Sequence, residues 1–223
     1  MKETSRVVKF RVGTGQGTGY LASPEKPRGG VLVLHAWWGL NDFFKGYANR
    51  LASHGFLALA PDLHDGPVAS TVEEAKDLHS KVDEGRVSKI VLGAADYLQS
   101  ISGRKIGVVG FSMGGAHSLL LSTLKPESVG AVVVFYAAWS EPDFSKAKAS
   151  FLGHFAPEDD WEPIDGVRAT EEKIRGAGRE VTFHFYPGTK HWFVEENRPV
   201  EYKRDAADLA WKRTLEFLDS KLR

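Results

Sequence analysis

The 223-residue chain has no cysteine. That absence removes disulfides, thiolate nucleophiles and sulfur-based zinc sites, and it leaves any metal centre to histidines and carboxylates. Net charge is missing as well. Lys plus Arg total 29 and Asp plus Glu total 29, so no overall positive field draws phosphate backbones or anionic lipid. Nucleic acid is therefore not an expected partner. No segment approaches the roughly 20 consecutive apolar residues of a membrane span, and "MKETSRVVKF" lacks the apolar core of a secretory signal. The expectation is a soluble, cytoplasmic protein without a membrane partner, monomeric or a small homo-oligomer.

What is present is a 42% hydrophobic composition, enough at this length for one large core, which predicts a single domain over residues 1–223. Two short strands, "RVVKFRV" and "TGYLAS", are joined through "GTGQGTG". A phosphate-binding loop needs a helix N-terminus directly after its glycines, whereas "YLASP" has strand character, so the run reads as a hairpin turn. "VLVLHA" is a continuous apolar, β-branched run, the pattern of a central strand covered on both faces.

From there the chain alternates. "DFFKGYANRLASHG" reads as a helix closed by Gly55, "FLALAPDL" as a strand, and "TVEEAKDLHSK" and "RVSKIVLGAADYLQS" as helices. "KIGVVGFS" is a strand, "MGGAHSLLLSTL" a helix, "VGAVVVFYA" and "ASFLGHFA" strands, "DGVRATEEKIRGAG" a helix and "EVTFHFYPG" a strand. The terminal "EYKRDAADLAWKRTLEFLDSKLR" is amphipathic, with Ala207, Ala210, Trp211, Leu215 and Leu218 on one face. Such alternation predicts an α/β protein: a doubly wound, mostly parallel sheet with helices on both faces and short antiparallel N-terminal strands.

Ser112 stands where strand gives way to helix, in "GFSMGG". The following helix must fold back sharply over the sheet, and glycine at 110 and 114 removes Cβ atoms that would collide there. A GxSxG string in that setting makes a strained elbow that lifts the hydroxyl above the carboxyl ends of the strands. The bland alternative is a tight turn in which serine only caps the helix. A serine nucleophile needs a histidine base, and the base needs a partner that fixes its tautomer. His191, in the loop after the last strand, suits the role. His184 lies within that strand, and His117, one turn beyond the serine, is expected to be buried against the sheet. The acid should follow an intervening strand, where "PEDDW" offers Glu158, Asp159 and Asp160, and spacing does not choose among them.

Through "LHAWWGLN", "APDLHDG", "GVVGFSMGG", "LGHFAPEDDWEP" and "YPGTKHWF" the sequence resembles the dienelactone hydrolase family, a branch of the α/β hydrolases, over nearly its whole length. Members usually show GxCxGG at the nucleophile, GxxDxxVP around the acid and YPGxxHxF around the base. The resemblance selects Ser112, Asp159 and His191, since Asp159 precedes Pro163 by four residues as the family acid does. Three departures stand out: serine replaces the usual cysteine, Ala36 replaces a glutamate that helps activate the thiol, and Glu195 replaces an arginine that holds a substrate carboxylate. Serine without the extra carboxylate is consistent with an ordinary esterase triad. Glu195 would repel a substrate carboxylate unless Arg198 substitutes for the missing arginine.

The expected function is hydrolysis of a small ester or lactone through an acyl-enzyme, without a cofactor. The oxyanion donors are expected to be the backbone N–H groups of Trp37 and Met113. Trp38, Phe43, Trp139, Trp161 and Trp192 fall near strand carboxyl ends and are expected to line an apolar pocket. His35, Asp62, His64 and Asp65 follow neighbouring strands, but the aspartates read as turn formers and His35 as a support of the oxyanion loop, so no metal is expected. Alternatives are a non-catalytic small-molecule binding protein of the same fold, or an acyltransferase or amidase using the same residues.

Overall fold

The computed structural model describes residues 4–222. Eight strands form one sheet: β1 (Thr4–Val12), β2 (Gly15–Ser23), β3 (Gly29–Leu34), β4 (Phe56–Pro61), β5 (Ile106–Phe111), β6 (Val129–Phe135), β7 (Ser150–Phe155) and β8 (Val181–Phe185). Their order is β1-β2-β4-β3-β5-β6-β7-β8. β1 and β2 pair antiparallel, β2 pairs antiparallel with β4, and the remaining strands run parallel. The helices are α1 (Asp42–Ser53), α2 (Val72–Ser80), α3 (Glu84–Ser102), α4 (Met113–Leu124), α5 (Ile164–Gly176) and α6 (Arg204–Lys221).

The apolar strings explain the layering. Every residue of β3, β4 and β5 is buried, as continuous β-branched and aliphatic runs require when both faces are covered. Phe44, Tyr47 and Leu51 of α1 share one core with Ala210 and Trp211 of α6. On the opposite face Ile90 and Leu98 of α3, Leu119 of α4 and Val167 of α5 form the second core. β1 alternates, burying Val8, Phe10 and Val12 and exposing the residues between, as expected of an edge strand with one wet face. No helix among the described residues is long and apolar enough to cross a membrane.

Two local readings shift. Only Gly13 and Thr14 turn the hairpin, with Gly13 at φ +57°, while Gly15, Gly17 and Gly19 belong to β2. The last two are there for close approach: a Cβ at Gly17 would strike Phe10 and Val12, and one at Gly19 the β4 backbone at Ala60 and Pro61. The terminal helix starts at Arg204, because residues 198–202 turn on the Arg198 carbonyl and Lys203 N–H donates to Phe193 C=O at 2.9 Å. Its Leu215 is only partly buried, and Thr214 is the residue driven fully inward.

The strand order reverses at β3, which lies between β4 and β5. Loops leaving the carboxyl ends of β3 and β5 therefore part in opposite directions and open a crevice there, the usual ligand position in a doubly wound sheet. The loop after β3 carries Trp37; the turn after β5 is Ser112.

Candidate active site

Ser112 adopts φ +49° and ψ −118°, a conformation that costs a non-glycine residue roughly 1–3 kcal/mol. Its backbone is pinned on both sides: the N–H donates to Phe135 C=O at 3.0 Å, and its C=O accepts from Gly115 N–H at 2.8 Å. The side chain makes no capping bond to α4, so the helix-cap alternative does not describe it. Glycines make the elbow possible. A Cβ on Gly110 would run into Ser118 and Gly114, one on Gly114 into the Leu34 and His35 carbonyls, and one on Gly115 into Ala137.

Across the crevice, His191 is buried in the turn that follows β8. Its Nε2 lies 3.1 Å from Ser112 Oγ, and its Nδ1 lies 2.7 Å from Asp159 Oδ2. The three acidic neighbours separate cleanly. The Asp159 side chain is 2% exposed, whereas that of Asp160 is 81% exposed and sits 3.6 Å from Lys190. Glu158 is exposed too. Asp159 is turned inward by the chain itself, since its Oδ1 accepts from the N–H groups of Trp161 and Glu162 at 2.8 and 3.0 Å. Trp192, next to the histidine, has φ +65°. Ser112, Tyr136 and Trp192 are thus three of four described non-glycine residues at positive φ, and all three crowd around one imidazole.

His35 closes the opposite wall. Leu63 N–H donates to its Nε2 at 2.9 Å, which leaves the proton on Nδ1 to bond Ala36 C=O at 2.6 Å. One neutral imidazole thereby ties the carboxyl end of β3 to that of β4. Burial, with His64 beside it, lowers its pKa to about 3. His154, the other fully buried histidine of the sheet, bridges Tyr186 Oη at 2.7 Å and Thr214 Oγ1 at 3.0 Å, and burial holds its pKa well below the usual value. His117 is buried as expected, and its Nε2 lies 3.5 Å from Glu84 at the start of α3. Asp65 pairs with Arg86, and Asp62 accepts from His64 N–H at 3.1 Å, as turn-forming aspartates do. Among the described residues no cluster of three His, Asp or Glu side chains has metal-binding geometry.

The expected pocket aromatics divide. Trp37, Trp161 and Trp192 meet one another with ring centroids 5.1–6.2 Å apart, and Trp192 meets His191 at 5.1 Å. Trp38 is fully buried against Trp37 and Trp192 and stacked under the Arg198 guanidinium at 3.3 Å, so it supports the wall from behind. Phe43 packs on Phe111 and lines a separate cavity of about 430 Å³ between α1, α6 and the 194–202 segment. Trp139 packs against the core of the α3, α4 and α5 face. Phe43 and Trp139 both follow strands, as a residue lining the site would, but packing draws the first to one face of the sheet and the second to the other. Arg198 is likewise committed, with Nη1 donating to Ser70 C=O at 2.8 Å.

Nothing in "VGAVVVFYA" marks Tyr136, yet it sits at φ +42° directly after β6, and its hydroxyl donates to Glu195 Oε1 at 2.7 Å. Glu195 is completely buried, and burial pushes its pKa up to about 8. These groups give stability a pH optimum. His35 and His154 take up protons when unfolded but not when folded, so their contribution is present above about pH 6.5 and lost as the pH falls. Glu195 binds a proton in the fold that the unfolded chain has released, so stability falls again as the pH rises towards its folded pKa of about 8. Urea unfolding should give a maximum near pH 6.5, and from there to pH 8 the native chain should lose about 2 kcal/mol more than Glu195→Gln. A curve for Glu195→Gln with the same alkaline slope would show that another group is responsible.

The chain is similar to known proteins in sequence and in fold. The model of the dienelactone hydrolase family matches residues 18–222. "Protein usf" of Aquifex pyrophilus is 30% identical, with 95% of this chain and 96% of that protein covered. A Saccharolobus solfataricus protein named "Putative carboxymethylenebutenolidase" is 30% identical over 89% of this chain and 92% of its own length. Among solved structures, a dienelactone hydrolase-like promiscuous phosphotriesterase from metagenomic libraries superposes with a TM-score of 0.88, at 24% identity and 99% coverage of both chains. The dienelactone hydrolase of Anabaena variabilis gives 0.79, at 22% identity and full coverage of both. The two structures speak for the α/β-hydrolase fold, while the family model and the end-to-end relatives establish descent: this chain belongs to the dienelactone hydrolase family.

Proposed function

We propose that the protein is a serine hydrolase that cleaves small esters or lactones, with Ser112 as nucleophile, His191 as general base and acid, and Asp159 as the group that orients the imidazole. The observation that carries this reading is a single imidazole within hydrogen-bonding reach of both an uncapped elbow serine, at 3.1 Å, and an inward-facing carboxylate, at 2.7 Å.

With Asp159 accepting the Nδ1 proton, Nε2 is left unprotonated towards Ser112. Oγ attacks the acyl carbon while its proton passes to Nε2, and the resulting imidazolium then gives that proton to the leaving alkoxide. Water, deprotonated by the same nitrogen, releases the acid and restores Oγ–H. The oxyanion formed in each half needs two N–H donors. Met113 and Trp37 fit, since neither backbone N–H has a hydrogen-bond partner among the described residues. The Trp37 donor is aimed from behind. His35 holds the Ala36 carbonyl, and because the peptide is trans and planar, fixing that C=O turns the Trp37 N–H the opposite way.

Ala36 and Glu195 shape the substrate class. No carboxylate stands beside Ser112 where the family places one, so deprotonation falls to His191 alone. Glu195 is buried against Tyr136 and Arg198 is spent on Trp38 and Ser70, so neither position offers a cation to a substrate carboxylate. The indole wall of Trp37, Trp161 and Trp192 favours an uncharged acyl or aryl group. The Saccharolobus relative's name points to a butenolide, which is a lactone, in keeping with this choice of bond.

A fluorophosphonate probe tests the reading directly. It should label the native chain and leave Ser112→Ala unlabelled, and a p-nitrophenyl ester series should then show a preference for short acyl chains. A native chain that takes no label would leave only the ligand-binding reading of this fold.

A further inference from the structure

We propose that Tyr136 and Glu195 act as a positioning pair that holds the His191 imidazole in line between Ser112 and Asp159, an inference that rests on the triad reading above. The Tyr136 ring lies 4.6 Å from the imidazole centroid at 51°, and on another side Trp192 presents its ring at 5.1 Å and 86°. His191 is therefore held between two aromatic residues whose backbones are both at positive φ.

The contacts close on themselves. Tyr136 Oη donates to Glu195 Oε1 at 2.7 Å, and Glu195 N–H donates to Trp192 C=O at 2.8 Å, which returns the chain to the neighbour of His191. Tyr136 N–H is fixed in turn on His154 C=O at 2.9 Å. Rotation of Tyr136 away from the imidazole would leave a buried carboxyl without its donor, a costly outcome inside the fold. Freed of that neighbour, the imidazole has room to leave the Ser112 hydroxyl, and small losses of alignment cost large factors in rate.

The pair also avoids an electrostatic conflict. A second ionised carboxylate near the imidazole would compete with Asp159 for the imidazolium. Burial keeps Glu195 mostly protonated at neutral pH, with Arg198 and Glu201 as its charged neighbours, while Asp159 and Tyr47 are the titratable groups that bear on Tyr136. The carboxyl therefore works here as a hydrogen-bond acceptor and not as a charge.

Steady-state kinetics on three variants test this. Tyr136→Phe keeps the ring and deletes only the hydroxyl; it and Glu195→Leu should each lower kcat about tenfold with KM within about twofold. Glu195→Gln, which still accepts from Tyr136, should return kcat to within about threefold of the native value. The double variant Tyr136→Phe, Glu195→Leu should be no slower than the slower single one, as for two halves of one contact. A folded Tyr136→Phe with native kcat overturns the proposal, and so does a Glu195→Gln as slow as Glu195→Leu. Should Glu195→Leu fail to fold, Tyr136→Phe and Glu195→Gln still decide. The two readings fail separately: an active Ser112→Ala removes the triad and this pair together, whereas an inactive Ser112→Ala beside an unaffected Tyr136→Phe removes the pair alone.

Discussion

Ser112→Ala is expected to lower kcat for a short p-nitrophenyl ester by about a millionfold, leaving KM almost unchanged. In the proposed mechanism Oγ forms the acyl bond, so its loss removes the covalent route and leaves only what the oxyanion donors and binding contribute, roughly 10³- to 10⁴-fold over water. The fold should tolerate the change. Alanine keeps the +49° φ at the same strain, and the backbone bonds to Phe135 and Gly115 do not involve the side chain. The lost contact is the 3.1 Å bond to His191, which the Asp159 interaction still anchors from the other nitrogen. Burst-phase and steady-state assays on a variant shown to be folded decide the matter. Residual turnover within a hundredfold of the native chain would mean that another residue is the nucleophile.

Asp159→Asn should cost about 10⁴-fold in kcat, and Asp160→Asn less than about twofold. The asparagine can still take the Trp161 and Glu162 N–H bonds through its carbonyl, so the loop keeps its shape. What changes is the group facing His191 Nδ1. An amide N–H there favours the tautomer with its proton on Nε2, which then points a hydrogen at the serine and has no lone pair to offer. Asp160 is 81% exposed and its partner Lys190 is half-exposed at 3.6 Å, a pair worth little in water. A reversed order of the two variants would place the acid at 160.

The site was legible where chemistry and connectivity coincide. "GFSMGG" is readable because a strand-to-helix turn this tight has steric room only for glycine at 110 and 114, and the structure shows the backbone atoms that a Cβ would strike at each. His191 stood out by following the last strand. Asp159 was separable from its neighbours in the sequence only through family resemblance. Its side-chain direction depends on two backbone N–H groups that a turn presents, and no residue pattern encodes that turn uniquely.

The aromatic residues were less readable. Trp37, Trp38, Phe43, Trp139, Trp161 and Trp192 all follow strands or begin helices, but burial divides them among a wall beside His191, its foundation and two opposite cores. A side chain's apolar area is a property of the residue, whereas which apolar surface it meets is a property of helix packing. Tyr136 left no mark in the sequence at all. Its role depends on a positive φ and on a carboxyl 59 residues later, neither of which has a local signature.

The amino-acid order by itself determined the alternation of strand and helix, the buried central strands and the elbow, because those follow from apolar periodicity and from the space a glycine leaves, both local quantities. Only the tertiary structure decided which carboxylate faces the imidazole, which tryptophans stand beside it, and that a tyrosine against it is hydrogen-bonded to a buried glutamic acid. Those outcomes depend on distances between chain segments that meet only after the sheet is assembled, where burial changes the proton affinity of each group and a hydrogen-bond partner is fixed by geometry and not by neighbourhood in the chain.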